Sequence, residues 1–277
     1  MRIGLSIGIF FLAFALFAAN VIGLLVEPER HALALERVGH KQGLRLLPAA
    51  EVIAKLDRLR PDDPEHHLLR ATELIAGGIY HYWPDEDAYD ADVTLQIYEN
   101  WAVALLGWAE RVLVAGGVLN QYRFARLERL DHADILHKGI GRCSQASLAL
   151  SSYLVRAGVD ARLVGLDGHV VVAARAGGQD YLLDPDYNVV IQAPLQAVQN
   201  SPRLAASAYL GAGYSAEVAE ELALIFGPEG NFVGGAHSYH PRHALINVLV
   251  ALLKWGVPLV AMLLVLFAWR HRHRGSV

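Results

Sequence analysis

The chain has 277 residues, of which 54% are hydrophobic, and its formal net charge is −4. This composition speaks against a disordered chain, and the slightly negative charge speaks against a nucleic-acid partner. The apolar excess is concentrated at the two ends of the chain.

The first predicted element is a membrane anchor. Residues 3–26 form an uncharged apolar run that is long enough to cross a bilayer. A cleaved signal peptide is the alternative, with Ala18 and Ala19 as the small residues before a cleavage site. Because apolar sequence continues after these alanines, an uncleaved anchor fits the pattern better.

Residues 28–92 are predicted to be a helical linker region. Asp63 and Pro64 give one of its helices an N-cap with proline at the first helical position, and Gly77-Gly78 ends that helix. Residues 80–92 are predicted to be a loop that contains an acidic run at 85–92. These carboxylates could hold calcium, but they lack the Asp-x-Asp-x-Asn-Gly order of a calcium loop. No metal and no cofactor is predicted.

Residues 93–115 are predicted to form one long helix that ends at Gly116-Gly117. One face of this helix carries Ile97, Trp101, Leu105, Trp108 and Val112. Such an aromatic stripe is more typical of a core than of a ligand site, so we expect this face to be buried.

Cys143 is the only cysteine of the chain and is predicted to open a helix of about four turns. Ala146, Leu150, Leu154 and Ala157 recur after it at helical spacing, and Gly158 follows. A glycine at that point ends a helix in the left-handed region. At the helix start, unpaired backbone N–H groups and the helix dipole favour thiolate over thiol.

Three strands are predicted next, over residues 161–166, 169–174 and 179–184, as an antiparallel meander. His169 begins the second strand and Asp184 ends the third, so their side chains are predicted to be neighbours. Asp186 competes for this contact, but Asp184 is preferred because it still lies on the strand. A helix packed on this sheet could point Cys143 at His169. A nucleophile, a base and an orienting group would then meet.

The order Cys, His, Asp, with Gly-x-Cys opening a helix and a final Leu-Leu-Asp-Pro, resembles the transglutaminase-like superfamily of papain-type cysteine enzymes. The resemblance covers roughly residues 95–190. It implies an α+β fold with a papain/transglutaminase-like core, in which the helix bearing Cys143 packs on an antiparallel sheet. Helical additions and two transmembrane helices complete the predicted fold.

The same resemblance assigns the roles of the site residues. Cys143 is the nucleophile, His169 is the general base and later the acid, and Asp184 holds the imidazole. In that family an upstream aromatic or amide side chain helps to hold the oxyanion. Trp108 and His137 are the candidates for this role.

Two clusters of basic side chains lie outside the predicted triad. The first comprises Arg123, Arg126 and Arg129, and the second comprises His237, His240 and His243. The arginines predict a helix whose basic face is solvated or contacts lipid head groups. The histidines could bind zinc, but Pro241 interrupts their helical register, so interfacial histidines are the preferred interpretation.

The C-terminal part begins with a predicted helix over residues 215–226, which is capped by Ser215. Residues 244–269 form a second candidate span that contains Lys254 and Pro258. A lysine at this depth is costly in lipid unless it snorkels, faces another helix or meets a partner. A basic tail follows at residues 270–274.

Arginines at both ends of the chain prefer the cytoplasmic side, and two spans put both ends on one side. The sequence therefore predicts an inner (plasma) membrane protein with cytoplasmic termini and an extracytoplasmic, periplasmic domain. Its predicted divisions are the anchor 1–27, the linker 28–92, a transglutaminase-like domain 93–242, and a transmembrane helix with tail 243–277. A lone cysteine in an oxidising compartment is better explained by chemistry than by packing, although intermolecular pairing is the alternative.

Two functions fit these predictions. In the first, the protein is a membrane-anchored thiol enzyme that acts on a protein or peptide amide. Water, as in a protease or amidase, or an amine, as in a transglutaminase, resolves the acyl-enzyme. In the second, it is a non-catalytic scaffold that docks to other membrane proteins. Arylamine N-acetyltransferases share the order of the three residues, but no long C-terminal extension is present to shape an acetyl-CoA site.

Overall fold

The computed structural model describes residues 2–26, 44, 46–60, 62–81, 96–120, 124, 127–227, 231–239 and 241–274. Contacts divide the chain into two compact units. We call Met1–Glu27, Tyr89–Leu127 and Arg242–Val277 the apolar-helix unit, and Pro28–Ala88 with Glu128–Pro241 the sheet unit. The chain therefore enters the sheet unit twice.

The described residues form an α+β fold, as predicted. The helices are α1 (Arg2–Ile22), α2 (Ala49–Leu56), α3 (Pro64–Gly78), α4 (Ile97–Ala115), α5 (His132–Lys138), α6 (Cys143–Arg156), α7 (Leu195–Asn200), α8 (Arg203–Gly211), α9 (Ala216–Leu224), α10 (Ala236–Tyr239) and α11 (Pro241–Arg274). The strands are β1 (Tyr80–His81), β2 (Ile140–Gly141), β3 (Asp160–Gly165), β4 (Val170–Ala176), β5 (Gln179–Asp184), β6 (Val189–Ile191) and β7 (Phe232–Gly234).

An antiparallel sheet in the order β6-β5-β4-β3-β7 is the centre of the sheet unit. The predicted meander of β3, β4 and β5 is confirmed, with Leu163 opposite Val172 and Val172 opposite Leu183. Gly168 in the first hairpin turn has a φ of 78°, which glycine adopts without steric cost. The sequence patterns did not predict β6 and β7, which extend the two edges.

The sheet is covered on both faces, because successive side chains of a strand point in opposite directions. Leu163 and Leu183 face a core formed with helices α2, α3, α5 and α6. Val164 and Leu182 face a second core formed with α7, α8 and α9. The helix that begins at Cys143 therefore packs on one face of an antiparallel sheet.

Local signals predicted several helix ends correctly. Asp63 Oδ1 accepts the N–H of His66 at 3.2 Å, and Ser215 Oγ accepts the N–H of Val218 at 3.3 Å. Gly158, just beyond the end of α6, has a φ of 83°, so it ends that helix in the left-handed region, as predicted.

Two local predictions in the sheet unit are wrong. Tyr80 and His81, predicted to lie in a loop, form β1, which pairs in parallel with β2. Non-local pairing with a strand 60 residues later overrides the local signal. Arg129, predicted on a helix, lies in a segment with neither helix nor strand. Arg123 and Arg126 lie outside the described residues.

Helices α1 and α11 contain the two candidate membrane spans. Gly4–Ile22 and Ala244–His271 are long and apolar enough to cross a membrane. This agrees with the two spans that the sequence predicted. Pro258 lies inside α11 without ending it.

The expectation that the aromatic stripe of α4 is a buried face is wrong. The exposed fractions are 53% for Ile97, 50% for Leu105, 66% for Trp108 and 55% for Val112. Helical periodicity groups residues by face, but it does not tell which face is covered by protein. Helix α4 belongs to the apolar-helix unit.

Candidate active site

Cys143 is the first residue of α6 and is only partly buried. Arg142 precedes it as an N-cap in extended conformation and contributes no side-chain hydrogen bond to the helix. The Arg142 carbonyl accepts the N–H groups of Gln145 and Ala146 at 2.9 and 3.1 Å. The two N–H groups that come before these, on Cys143 and Ser144, are the ones that helix geometry leaves for an external acceptor.

A buried serine fixes the Cys143 helix to the strand that follows His169. Ser147 is fully buried, and its hydroxyl donates to the carbonyl of Val170 at 2.7 Å. Leu148 and Leu150 of the same helix are also fully buried. The start of α6 is therefore held beside the start of β4.

His169 and Asp184 meet where β4 begins and β5 ends, at the same end of these two neighbouring strands. The His169 Nε2 and Asp184 Oδ2 atoms are 2.8 Å apart, and both side chains are buried. The N–H of Leu166 donates to the His169 carbonyl at 2.8 Å and closes the hairpin before β4. The predicted contact between His169 and Asp184 is confirmed.

The Cys143 side chain lies close enough to the His169 imidazole to act on its pKa. Burial lowers the pKa of His169, but the charge of Asp184, its hydrogen bond and the interactions with Cys143 raise it more. The net result is a pKa well above the ordinary value of 6.5. Because Asp184 engages Nε2, the nitrogen left for the sulfur is Nδ1. The structure thus brings the three predicted residues together.

Four donors hold the Asp184 carboxylate. His169 Nε2 and the Tyr209 hydroxyl contact Oδ2 at 2.8 and 2.6 Å. The backbone N–H groups of Asp186 and Tyr187 donate to Oδ1 at 3.0 and 3.2 Å. A carboxylate accepts about four hydrogen bonds, so the capacity of Asp184 is filled and its orientation is fixed.

A cluster of three tyrosines packs behind this pair. The rings of Tyr187, Tyr209 and Tyr214 meet edge to face at centroid distances of 5.4 to 6.2 Å, and Tyr187 also contacts the His169 ring. Burial and the neighbouring Asp184 raise the pKa of Tyr209 well above its ordinary value, so its hydroxyl stays a donor. The sequence analysis missed this cluster because no local pattern links residues so far apart along the chain.

A second His–Asp pair lies beside the first. His81 Nδ1 and Asp186 Oδ1 are 2.6 Å apart, and both side chains are buried. Asp186, the predicted competitor of Asp184, thus contacts a different histidine. His81 lies opposite Gly141, two residues before Cys143. This pair connects the segment that leads to Cys143 with the turn that donates to Asp184.

Charged groups also lie close to Cys143. The buried Glu128 carboxylate accepts a hydrogen bond from the Ser144 hydroxyl, and Arg142 Nη2 lies 3.6 Å from Glu128 Oε1. Burial, together with the charges of Glu128 and Cys143, raises the pKa of Tyr239 to about 12, although Arg142 opposes this. Tyr239 on α10 is therefore within electrostatic reach of Cys143. No motif in the sequence marked Glu128 or Tyr239.

The two predicted oxyanion candidates lie in different surroundings. Trp108 belongs to the apolar-helix unit and is 66% exposed. His137 is exposed in the last turn of α5 in the sheet unit. The role of both side chains at the oxyanion stays a prediction.

No group of three or more His, Cys, Asp and Glu side chains that could hold a metal occurs within the part of the chain that the structure describes. The acidic run at 85–92 and His240 lie outside that part, as do the side chains of His237 and His243. Comparison of the chain with protein-family models, with curated proteins and with solved structures gives no match.

Proposed function

We propose that the chain is a membrane-anchored cysteine acyl-transfer enzyme of the papain/transglutaminase-like type. The main support is that the His169 imidazole contacts the buried Asp184 carboxylate and lies within electrostatic reach of the thiol at the start of α6. Nucleophile, base and orienting group are the parts of a covalent acyl-transfer site. A helix that begins at the cysteine and packs on an antiparallel sheet is the core expected of this type.

In the first step, the Cys143 sulfur attacks the carbonyl carbon of a protein or peptide amide after its proton has moved to His169. The new C–S bond forms as the carbonyl π electrons move to oxygen. The backbone N–H groups of Cys143 and Ser144 stabilise this oxyanion, because preorganised donors act strongly in a site that excludes water. The helix dipole acts in the same direction.

In the second step, the C–N bond breaks as the carbonyl re-forms, and His169 gives its proton to the leaving amine. Cys143 is left as a thioester. Water or a second amine then attacks the thioester carbonyl and loses a proton to His169. The C–S bond breaks, the acid or new amide is released, and the proton returns to the sulfur.

Asp184 is the positioning group in this mechanism. Its four donors leave it no freedom to turn, so the imidazole it contacts is held in one orientation. The raised pKa of His169 suits a histidine that carries the proton taken from the thiol.

Helices α1 and α11 provide the anchor in this proposal. Both are long and apolar enough to cross an inner (plasma) membrane. Arg2 and the basic tail at 270–274 favour the cytoplasmic side for both termini. Two crossings then put the sheet unit, with Cys143, on the extracytoplasmic, periplasmic side.

Alkylation of Cys143 tests the proposed chemistry. Iodoacetamide is added to the purified full chain in detergent near pH 6.5, and alkylation is followed by intact-mass spectrometry. We expect His169→Ala to slow alkylation by about 100-fold, because the base that takes the thiol proton is lost. His66→Ala, which changes an exposed histidine on α3, is the matched control and should leave the rate unchanged. Equal rates in all three proteins would contradict the proposal and favour a non-catalytic scaffold.

A further inference from the structure

The surface of helix α4 is inverted relative to that of an amphipathic helix in a water-soluble protein. Its exposed face carries Leu105, Trp108 and Val112, which are 50, 66 and 55% exposed. Its buried face includes Asn100 and Glu110, which are 7 and 5% exposed. A helix on a soluble domain turns its apolar stripe inward. The exposed face of α4 is therefore suited to an apolar medium.

Two polar side chains on the buried face of α4 accept backbone N–H groups within the apolar-helix unit. Glu110 Oε2 accepts the N–H of Phe124 at 2.8 Å. Asn100, where the helix is kinked, accepts the N–H groups of Ala102 and Val103 at 3.2 and 3.3 Å. Internal satisfaction of polar groups is what a segment in lipid requires, because no water is present to bond them.

Helix α4 also contacts the second candidate span. Pro258 has no N–H, so it cannot bond the carbonyl of Lys254, four residues earlier. Two side chains from other helices donate to this carbonyl instead, Asn20 Nδ2 at 2.7 Å and Trp101 Nε1 at 3.1 Å. Lys254 lies ten residues beyond Ala244, where the second span begins, and Asn20 lies two residues before Ile22, where the first span ends. Trp101 of α4 therefore lies beside residues that are inside both candidate spans.

Close packing joins α4 to both candidate spans. A Cβ on Gly23, just after α1, would collide with the carbonyl of Tyr98 in α4. Val103 of α4 packs with Val250 of α11 and with Leu127 in a small buried cluster. The apolar surface of α4 is thus continuous with that of the helices that are apolar enough to cross a membrane.

We propose that α4 is a re-entrant helix embedded in the bilayer, with Leu105, Trp108 and Val112 in contact with lipid acyl chains. It enters and leaves on one side, because the chain segments before and after it fold together. Tyr80 of β1 pairs with Ile140 of β2, so both segments lie on the same side of the membrane. The inference rests on the proposed membrane location of α1 and α11 and is independent of the chemistry at Cys143.

Depth-dependent quenching tests the inference. The Cys143→Ser chain has no other cysteine, so single cysteines can be placed by Leu105→Cys and Val112→Cys and labelled with bimane. The full chain is reconstituted in vesicles of phosphatidylcholine with or without bromine in the acyl chains. Leu252→Cys on α11, where the leucine is 66% exposed, reports a lipid-facing position. Val155→Cys on α6, where the valine is 57% exposed, is the matched apolar position on the sheet unit.

We expect brominated lipid to quench bimane at positions 105 and 112 to within about twofold of position 252, and to leave position 155 unquenched. Quenching at position 252 without quenching at positions 105 and 112 would show that α4 does not contact lipid, although α11 does. This includes the case in which a second copy of the chain covers α4. Absence of quenching at all four positions would overturn both the anchor and the inference, whatever the alkylation of Cys143 shows.

Discussion

The sheet unit and the apolar-helix unit distribute polar and apolar side chains in opposite ways. In the sheet unit, Leu148 and Leu163 are fully buried in an apolar core. In the apolar-helix unit, Asn20 is fully buried, whereas Trp108 and Leu252 are 66% exposed. Water drives apolar groups inward, as in the sheet unit, whereas the outward-facing apolar groups of the apolar-helix unit fit the lipid surroundings that we propose for it.

Each unit nevertheless has a polar acceptor that is bonded by groups from other elements. In the sheet unit this acceptor is the Asp184 carboxylate, with four donors. In the apolar-helix unit it is the Lys254 carbonyl, with the side-chain donors of Asn20 and Trp101. The charged acceptor should matter far more than the neutral one, because an unpaired buried charge is costlier than an unpaired carbonyl.

Asp184→Ala should have the largest effect. His169 stays buried without its carboxylate, so the free energy of unfolding of the sheet unit should fall by roughly 3–5 kcal/mol. Hydrogen exchange of peptides from β4 and β5 in the detergent-solubilised full chain measures this, while peptides from α11 should be unaffected. The control is Asp180→Ala, which changes another aspartate of β5 that forms an exposed ion pair with Arg175. This change should lower the free energy of unfolding by less than about 0.5 kcal/mol. Equal losses of unfolding free energy in the two variants would show that the buried His169–Asp184 pair stabilises the fold no more than the exposed Arg175–Asp180 pair.

Tyr209→Phe should have a smaller effect on the same acceptor. It removes one donor to a carboxylate and leaves the ring, so we expect a loss of about 1.5–3 kcal/mol in the same exchange measurement. Tyr214→Phe is the matched control, because its hydroxyl donates at 2.8 Å to the neutral carbonyl of Tyr187. That loss should be about 0.5–1.5 kcal/mol. If Tyr209→Phe lowers the free energy of unfolding no more than Tyr214→Phe does, the charge of Asp184 does not strengthen its hydrogen bond with Tyr209.

In the apolar-helix unit, the cost of Asn20→Ala should depend on Pro258. Alone, Asn20→Ala should destabilise the unit by about 0.6 kcal/mol, the typical value of a side-chain hydrogen bond between membrane helices. Pro258→Ala restores an N–H that can bond the Lys254 carbonyl, so in that background the Asn20 change should cost almost nothing. SDS unfolding in mixed micelles measures all four proteins of this double-mutant cycle through tryptophan fluorescence, since Trp255 contacts Phe17 at 5.7 Å. If Asn20→Ala destabilises the unit equally with and without Pro258→Ala, Asn20 does not replace the N–H that Pro258 lacks.

The contribution of His169 to the free energy of unfolding should change gradually with pH. Because the pKa of His169 is raised in the folded state, its pairing stabilises the sheet unit fully below about pH 6.5. This stabilisation is lost as the pH rises through the raised value. The difference in unfolding free energy between the wild type and His169→Gln should therefore be largest near pH 6 and shrink towards alkaline pH. A difference that grows with pH would mean that His169 is held in its neutral form.

The sequence predicted those parts of the site that depend on local patterns. The helix that opens at Cys143, the hairpin turn at Gly168 and the end of β5 at Asp184 each have a local signal. The contact between His169 and Asp184 then follows from the geometry of a meander. Tyr209 and His81 carry no such signal, because tertiary packing alone brings them to the site. The buried face of α4 was assigned wrongly because periodicity separates two faces of a helix without indicating which medium surrounds them.

Activation of the Cys143 thiol by His169 can be followed by intact-mass spectrometry of the full chain mixed with an activated ester, p-nitrophenyl acetate. If the proposed chemistry holds, wild-type Cys143 gains one acetyl group and then loses it to water, since His169 serves both the thiol and the water. In His169→Ala the adduct should form much more slowly and persist. Formation and loss of the adduct at the same rates in both proteins would show that His169 does not activate Cys143.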